Sequence, residues 1–407
     1  MKKYLGIDVG ASLSKTGLIH EDWKEVYKDY SNKVWAHDGE AKTTDYDLDL
    51  SKPENVLDFS VKFGEAEKGP FDKTVKRITD TIENQRWILG KLAEDMSSSH
   101  QSLASDSLKV EQEEFYLNIL GVIYSTMLEN KLKKGDLTVG ILVPPRDYFN
   151  ELKEVLFGVL AREITIVNNT TGEKVVIDLK REQILIKPES VVSFISCFVD
   201  DKNEITEVGE KYGELLNVSV DMGHSTTDFA MMEEWEPKKN SFNTIDFATT
   251  QLLAFLSEEI QRKYNGYIPN EKELVKAFHT GNLTTGATTQ WVGEEITVAN
   301  KKFALALYDV VFKYLRSHGY NLQQVAAFMF SGGGSTELKN VKSVRSYFMD
   351  EVNKVSQFTE SFRPENLSLA GHVEYETNKD KLSVVRYSNI LGFMRGLRQE
   401  KSKNDEK

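Results

Sequence analysis

NVSVDMGHSTTDFAMM, residues 217–232, is the stretch from which the rest of the chain is read. Val218 and Val220 alternate with Ser219 and Asp221, the period-two pattern of a strand. An acid, a glycine and hydroxyl residues then run together as DMGHSTTD, and Phe229, Ala230 and Met231 resume an apolar run. The pattern predicts a hairpin whose turn is made of Asp, Gly, Ser and Thr. Such a turn offers backbone N–H groups and hydroxyls to an anion, and Gly223 lets the backbone come close. Taken alone, a hairpin with ordinary polar turn residues is the simpler account.

Two other stretches repeat the chemistry. In KYLGIDVGASLSKTGLIH, residues 3–20, Leu5 and Ile7 mark an apolar strand ending in Asp8. Gly10, small residues and Lys15 follow, and a second strand starts at Gly17. In VAAFMFSGGGSTELKNVKSV, residues 325–344, an apolar strand over Val325–Phe330 runs into Ser331, Gly332, Gly333 and Gly334, then a helix-like segment. Three consecutive glycines after a buried strand imply close backbone approach to something planar or anionic.

In this order and at these separations, the three stretches resemble the phosphate-1, phosphate-2 and adenosine motifs of the actin, hexokinase and heat-shock-chaperone ATPase superfamily. Asp8, Gly10 and Lys15 match D-x-G-x-x-x-x-K; Asp221, Gly223 and Thr226 match D-x-G-x-x-T; residues 331–334 match the S-G-G-G form. The resemblance extends over nearly the whole chain. It implies an α/β, two-lobed actin-like (ribonuclease H-like) ATPase with a nucleotide cleft between the lobes. Lobe I is expected over residues 1–188, with a closing helix at 386–400 returning to it. Lobe II is expected over 189–385, and 401–407 is expected to be a disordered tail.

A further stretch narrows the resemblance. In ILIKPESVVSFISCFV, residues 184–199, a strand ends near Ile186, Pro188 sets the exit and Glu189 opens an apolar helix. In the superfamily this place joins the lobes, and the helix start carries the residue facing the attacked phosphate. ParM-type plasmid actins carry Pro-Glu-Ser here, as do Pro188, Glu189 and Ser190. The alternative for Glu189 is a first-turn acid placed for the helix dipole. ParM also has a Gly-Asp-rich turn before the helix of NTIDFATTQLLAFLSEEIQRKY, where this chain offers Asp246 and two threonines; the missing glycine is a departure.

At 407 residues the chain is long enough for two domains or one bilobed body. The formal net charge of −12 argues against binding bare nucleic acid or an anionic membrane surface. The one cysteine, Cys197, lies in an apolar run and reads as a buried, inert thiol. Asp8 interrupts any leader after MKK, and no run is long enough to span a bilayer, so a cytoplasmic protein is expected.

Residues 18–65 look strand-rich, with a strand over Val56–Lys62. After Pro70, the residues Phe71, Val75, Ile78, Ile82, Leu89, Leu92 and Met96 predict one long amphipathic helix, followed by a polar loop over 97–108. Further helices are expected at 113–132, 148–160, Glu271–Phe278 and Val298–Arg316, the last stopped by Gly319. LTVGILVPP predicts a buried strand stopped by Pro144 and Pro145, ITIVNNTTGEKVVIDL a hairpin, and NLTTGATTQW a mobile loop. VVRYSNILGFMRGL resembles the family's closing segment.

The resemblance implies ATP, with GTP as the alternative nucleotide, and Mg²⁺. Asp8, Gly10, Ala11, Ser12 and Lys15 in one turn, Gly223, His224, Ser225 and Thr226 in the second, and Gly332, Gly333 and Gly334 would contact the nucleotide. His224 serves as a spacer with a usable backbone N–H. Asp8 and Asp221 would hold Mg²⁺ through water, since that ion keeps most of its hydration shell. Phosphoryl transfer needs positioning, charge neutralisation and a group to orient the attacking water. Glu189 is the candidate for that group, and Asp221 the second catalytic residue. The implied function is a filament-forming ATPase of the ParM type that moves plasmid DNA. Its partners would be other copies of itself in a polar filament and a small DNA-binding adaptor, with no direct nucleic-acid or membrane contact. A small-molecule kinase and a non-polymerising chaperone or reactivating ATPase are the alternatives. No kinase-type catalytic aspartate motif is found, and no substrate domain follows the ATPase region.

Overall fold

A computed structural model describes residues 3–10, 13–19, 25–31, 34–37, 57–65, 69–90, 93, 108–149, 152–200, 204–286, 288–362, 373–375 and 389–397. The chain divides into two compact units, Met1–Val192 with Ser368–Lys381 and Asn389–Lys407, and Ser193–Leu367 with Leu382–Ser388. The lobe boundary expected after 188 differs slightly from this division, which falls inside a helix.

The strands of the first unit are β1 (Lys3–Val9), β2 (Leu13–Ile19), β3 (Glu25–Ser31), β4 (Val34–His37), β5 (Leu57–Phe63), β6 (Arg86–Leu89), β7 (Leu137–Val143), β8 (Glu163–Asn168), β9 (Lys174–Asp178) and β10 (Ile184–Pro188). One sheet runs β10-β7-β1-β2-β3 and ends on the short strand Val373–Tyr375; the other runs β4-β6-β5-β8-β9. Pairing with β3 puts Val373–Tyr375 in the first unit, although the sequence placed 189–385 in lobe II. β10, β7 and β1 are parallel, and β1, β2 and β3 form an antiparallel meander.

The helices here are α1 (Asp72–Glu83), α2 (Glu113–Glu129), α3 (Pro145–Phe149), α4 (Lys153–Leu160) and α5 (Glu189–Phe198). α2 is apolar on nearly every side and is buried over Phe115–Met127, as such a helix must be. Within the closing segment, 389–397 is helical. Its Ile390, Phe393 and Met394 fill the space that absent side chains leave over the sheet: a Cβ on Gly6 would lie 2.7 Å from Met394 Sδ.

Several expectations change in this unit. The second strand expected from Gly17 starts at Leu13, so Lys15 lies within β2, paired with Asp8, and not in the turn. The long helix after Pro70 stops at Glu83, and Arg86–Leu89 is a strand between β4 and β5. A continuing apolar stripe needs an apolar side chain at 85 or 86, where Gln85 and Arg86 stand. Asn84 closes the helix by donating from Nδ2 to the Asp80 carbonyl at 2.7 Å. Arg86 donates from Nε to the buried Asp58 at 2.7 Å, while Trp87, Ile88 and Leu89 enter the core. Leu92, Met96, all but Leu108 of the loop expected at 97–108, and the tail 401–407 lie outside the described residues. The helix expected at 148–160 is two pieces, α3 and α4.

The second unit holds β11 (Asn217–Met222), β12 (Thr227–Glu233), β13 (Glu236–Pro237), β14 (Asn243–Ile245), β15 (Asn282–Thr285), β16 (Thr288–Trp291), β17 (Ala327–Ser331) and β18 (Glu360–Phe362). Its sheet is β13-β12-β11-β17-β18, with β14 also on β12. The helices are α6 (Glu207–Tyr212), α7 (Thr249–Lys263), α8 (Glu271–Thr280), α9 (Gly293–Ser317) and α10 (Val344–Asn353). The core joins Val218, Val220, Phe229, Phe328 and Phe330 of the sheet to Leu256, Phe303 and Phe348 of the helices.

Two expectations change here. NLTTGATTQW is the hairpin β15–β16, with Gly286 left-handed at φ 58° and threonines opposed across it. α9 starts at Gly293 instead of Val298, because Glu294 and Glu295 suit a helix first turn and Ile296 already belongs to the buried face.

Candidate functional site

In the first unit, the β1–β2 register sets Asp8 opposite Lys15 and Val9 opposite Ser14. Lys15 Nζ donates to Asp8 Oδ2 at 3.0 Å, with the Asp8 carboxylate buried and the lysine partly open. Gly10 is half-buried at the end of β1. Ala11 and Ser12, assigned to the same turn, lie outside the described residues. Glu189 opens α5 directly after β10 and is 7% exposed. Its Oε1 accepts from Lys109 Nζ at 2.9 Å, and the same ammonium donates to the Val9 carbonyl at 2.9 Å. Glu189 thus opens the helix and also pairs with a partly buried lysine.

In the second unit, β11 and β12 form the hairpin read from 217–232, with Asp221 opposite Asp228 and Met222 opposite Thr227. Every β11 residue is buried, so the expected alternation is hidden by burial of both faces. Within 217–232 only the turn, Gly223 to Thr226, is partly exposed. Gly223 donates its N–H to the Thr226 carbonyl at 2.9 Å, and a Cβ there would lie 2.8 Å from that oxygen. The Gly223 N–H is thus spent inside the turn, and anion contact from it falls to His224, Ser225 and Thr226. His224 Nε2 lies 3.1 Å from Glu271 Oε1, so its ring is engaged away from the backbone.

The start of α7 docks on this turn. The Gly223 carbonyl accepts from Thr249 Oγ1 at 2.6 Å and from Thr249 N–H at 3.2 Å, and the His224 carbonyl accepts from Thr250 N–H at 3.0 Å. Asp246, the acid of the departed Gly-Asp turn, is exposed. Thr249 is a site-supporting residue that sequence reasoning passed over, as is Lys109; the doublet Thr249-Thr250 at a helix start was the only signal for the first.

The glycine run follows β17, whose parallel register with β11 sets Ser331 beside Asp221. Gly332 is left-handed at φ 81°. A Cβ on it would lie 2.5 Å from Asp221 Oδ1 and closer still to the Met222 carbonyl oxygen. A Cβ on Gly334 would lie 2.5 Å from Thr249 Oγ1. Packing on the phosphate-2 hairpin and α7 thus accounts for two of the glycines. It does not account for Gly333, which is half-buried and whose absent side chain meets no protein atom within 4 Å. Among the described residues, Ser331 Oγ is buried with no hydrogen-bond partner.

These donors suit a phosphorylated ligand with a hard cation. Among the described residues no group of three or more His, Cys, Asp or Glu side chains could cage a metal. Among the described residues no helix is long and apolar enough to cross a membrane.

A family model described as archaeal actin homologue MreB-like, C-terminal, matches residues 219–343, which include the second turn and the glycine run. No curated protein sequence matches. Among solved structures, the actin-like protein Alp7A superposes with a TM-score of 0.67 at 15% identity, covering 100% of this chain and 99% of that one. The archaeal actin homologue Ta0583 in complex with ADP gives 0.61 at 16%, covering 98% and 99%. A 15-stranded ParM filament from Clostridium botulinum gives 0.56 at 14%, covering 98% and 99%. The chain has the actin-like α/β fold.

Proposed function

We propose that this actin-fold chain binds and hydrolyses a nucleoside triphosphate, ATP before GTP, and that the bound nucleotide controls its assembly into filaments. The observation that carries nucleotide binding is Gly333, a half-buried glycine that protein packing does not require, beside the partnerless Ser331 hydroxyl and the phosphate-2 turn. In this proposal Lys15 places a point charge on the phosphates. The turn residues Gly10, Ala11, Ser12, His224, Ser225 and Thr226 supply backbone and hydroxyl donors, Gly223 closes the second turn, and Gly332, Gly333 and Gly334 admit the nucleoside. Asp8 and Asp221 would hold Mg²⁺ through water; when bound, the ion neutralises charge on the transferred phosphoryl group. Glu189, paired with Lys109, orients the attacking water.

Assembly is supported by likeness to the subunit of a ParM filament. A growing filament needs heterologous, non-closing contacts between copies. ParM-type proteins segregate plasmids, and that role in the cytoplasm is the one we assign, with a small DNA-binding adaptor carrying the cargo. The test is Asp221→Ala in parallel with the parent. Loss of metal-dependent ATP hydrolysis with a native circular-dichroism spectrum is expected; hydrolysis at the parental rate would refute the phosphate-2 assignment. Light scattering and sedimentation with ATP test assembly, and a protein that never sediments would turn the reading towards a non-polymerising ATPase or a kinase.

A further inference from the structure

We propose that Lys109 is the positioning residue that fixes the Glu189 carboxylate against the end of β1. The proposal rests on the role given to Glu189 above and adds to it the group through which that role is set up.

Lys109 begins a single turn of 3₁₀ helix, Lys109–Glu111, just before α2. So short a turn has little stability of its own. Three side chains from three helices pin its backbone. Asp147 of α3, fully buried, accepts the Val110 N–H at 3.2 Å. Tyr116 of α2, also fully buried, donates its hydroxyl to the Val110 carbonyl at 2.7 Å. Arg77 of α1 donates to the Glu111 carbonyl at 2.6 Å. From this fixed base the lysine bridges the Val9 carbonyl and Glu189 Oε1, each at 2.9 Å. Val9 follows Asp8 at the end of β1, so the ammonium ties the candidate water-orienting acid to the strand that carries Asp8, whose partner across the ladder is Lys15.

The bridge is largely shielded from solvent: the Lys109 and Glu189 side chains are 14% and 9% exposed. Exposed ion pairs hold geometry weakly, but removing one partner of a buried pair strands the other charge in a poor solvent. A stranded Glu189 would take a proton or swing towards water, and in either state it no longer orients a nucleophile. An ammonium can donate in three directions from one point, which suits it to linking a carbonyl and a carboxylate.

The experiment is a double-mutant cycle in the full chain: parent, Lys109→Met, Glu189→Ala and the double variant. Single-turnover ATP hydrolysis, nucleotide affinity and thermal unfolding are measured for each. Lys109→Met is expected to slow hydrolysis about 10- to 100-fold, the usual worth of a group that orients a reacting one. Nucleotide affinity should stay within about threefold, because the loss falls on the transition state. In the Glu189→Ala background, Lys109→Met should change the rate no further, which a merely structural role would not produce. Equal slowing in both backgrounds, or no slowing in either, overturns the proposal. If Glu189→Ala itself hydrolyses at the parental rate, the role of Glu189 falls and this inference with it. Should Lys109→Met fail to fold, Lys109→Gln, polar and of similar length, carries the same cycle.

Discussion

Gly332 and Gly333 are neighbours in sequence, and alanine at each should have opposite effects on stability. At Gly332 the backbone is left-handed at φ 81°, and an added methyl would press on the Met222 carbonyl and on Asp221 Oδ1. A left-handed alanine costs about 1–2 kcal/mol and an overpacked methyl about 1–3, so Gly332→Ala should destabilise the fold by about 2–5 kcal/mol. Gly333 is not among the residues with positive φ, and its added methyl would meet nothing. Gly333→Ala should therefore stabilise the nucleotide-free protein by about 0.4–1 kcal/mol, because alanine restricts the unfolded chain. The methyl would, however, stand on the face assigned to the nucleoside, and a loss of about 1.4 kcal/mol there is a tenfold loss of affinity. Urea unfolding and calorimetric titration with Mg–ATP measure both quantities on both variants. A Gly333→Ala protein that binds ATP as tightly as the parent would refute the ligand-facing assignment of the glycine run. A Gly332→Ala protein as stable as the parent would refute the packing argument.

Glu189→Ala should slow hydrolysis by about 10² to 10⁴ while ATP still binds, and any polymer should persist; a steady-state phosphate-release assay checks this. Burial pushes the Asp147 carboxyl up from its ordinary range, against the charge of Lys109. Its protonated form therefore contributes stability that is fully present below the ordinary carboxylate range and is lost as pH rises through the raised folded value. Asp147→Asn, which does not titrate, should gain on the parent across that window, and an unfolding difference that stays constant with pH would contradict the assignment. With a net charge of −12, the purified protein should show no tight, salt-sensitive DNA binding at physiological salt; a filter-binding titration with and without ATP decides this, and tight binding would remove the need for an adaptor.

How much of the fold was legible in the sequence depended on how local its cause was. The β11–β12 hairpin, the glycine run after β17 and the helix opening at Glu189 are each specified by neighbouring residues and stand where the sequence puts them, while β1–β2 is a hairpin as expected but with its second strand starting at Leu13, ahead of Gly17. The helix run through Arg86–Leu89 was misread because Leu89 kept a helical spacing by accident. What decides that segment is a sheet position between β4 and β5 and an ion pair to Asp58, which lies 28 residues away. The threonine-rich hairpin β15–β16 was hidden for a similar reason. Its residues lack an apolar alternation, and Gly286 supplies a left-handed corner.

The candidate site divides along the same line. Residues that would touch a nucleotide sit in turns whose composition advertises them, since a phosphate is met by glycines, hydroxyls and one charge within a few positions. Residues that hold those turns in place do not advertise themselves. Lys109 meets Glu189 across 80 residues and Val9 across 100. Thr249 meets Gly223 across 26, at the place where a glycine expected from the resemblance is missing. There the departure has a structural consequence that the motif could not express. The turn is gripped through its carbonyls by a helix start, and the hydroxyl that grips it is the one a side chain at Gly334 would strike. Phosphate-2 turn, α7 and glycine run therefore behave as one packed unit. A substitution that shifts Thr249 should disturb the backbone at Gly223 and at Gly334 together, coupling two motifs that are more than a hundred residues apart in the chain.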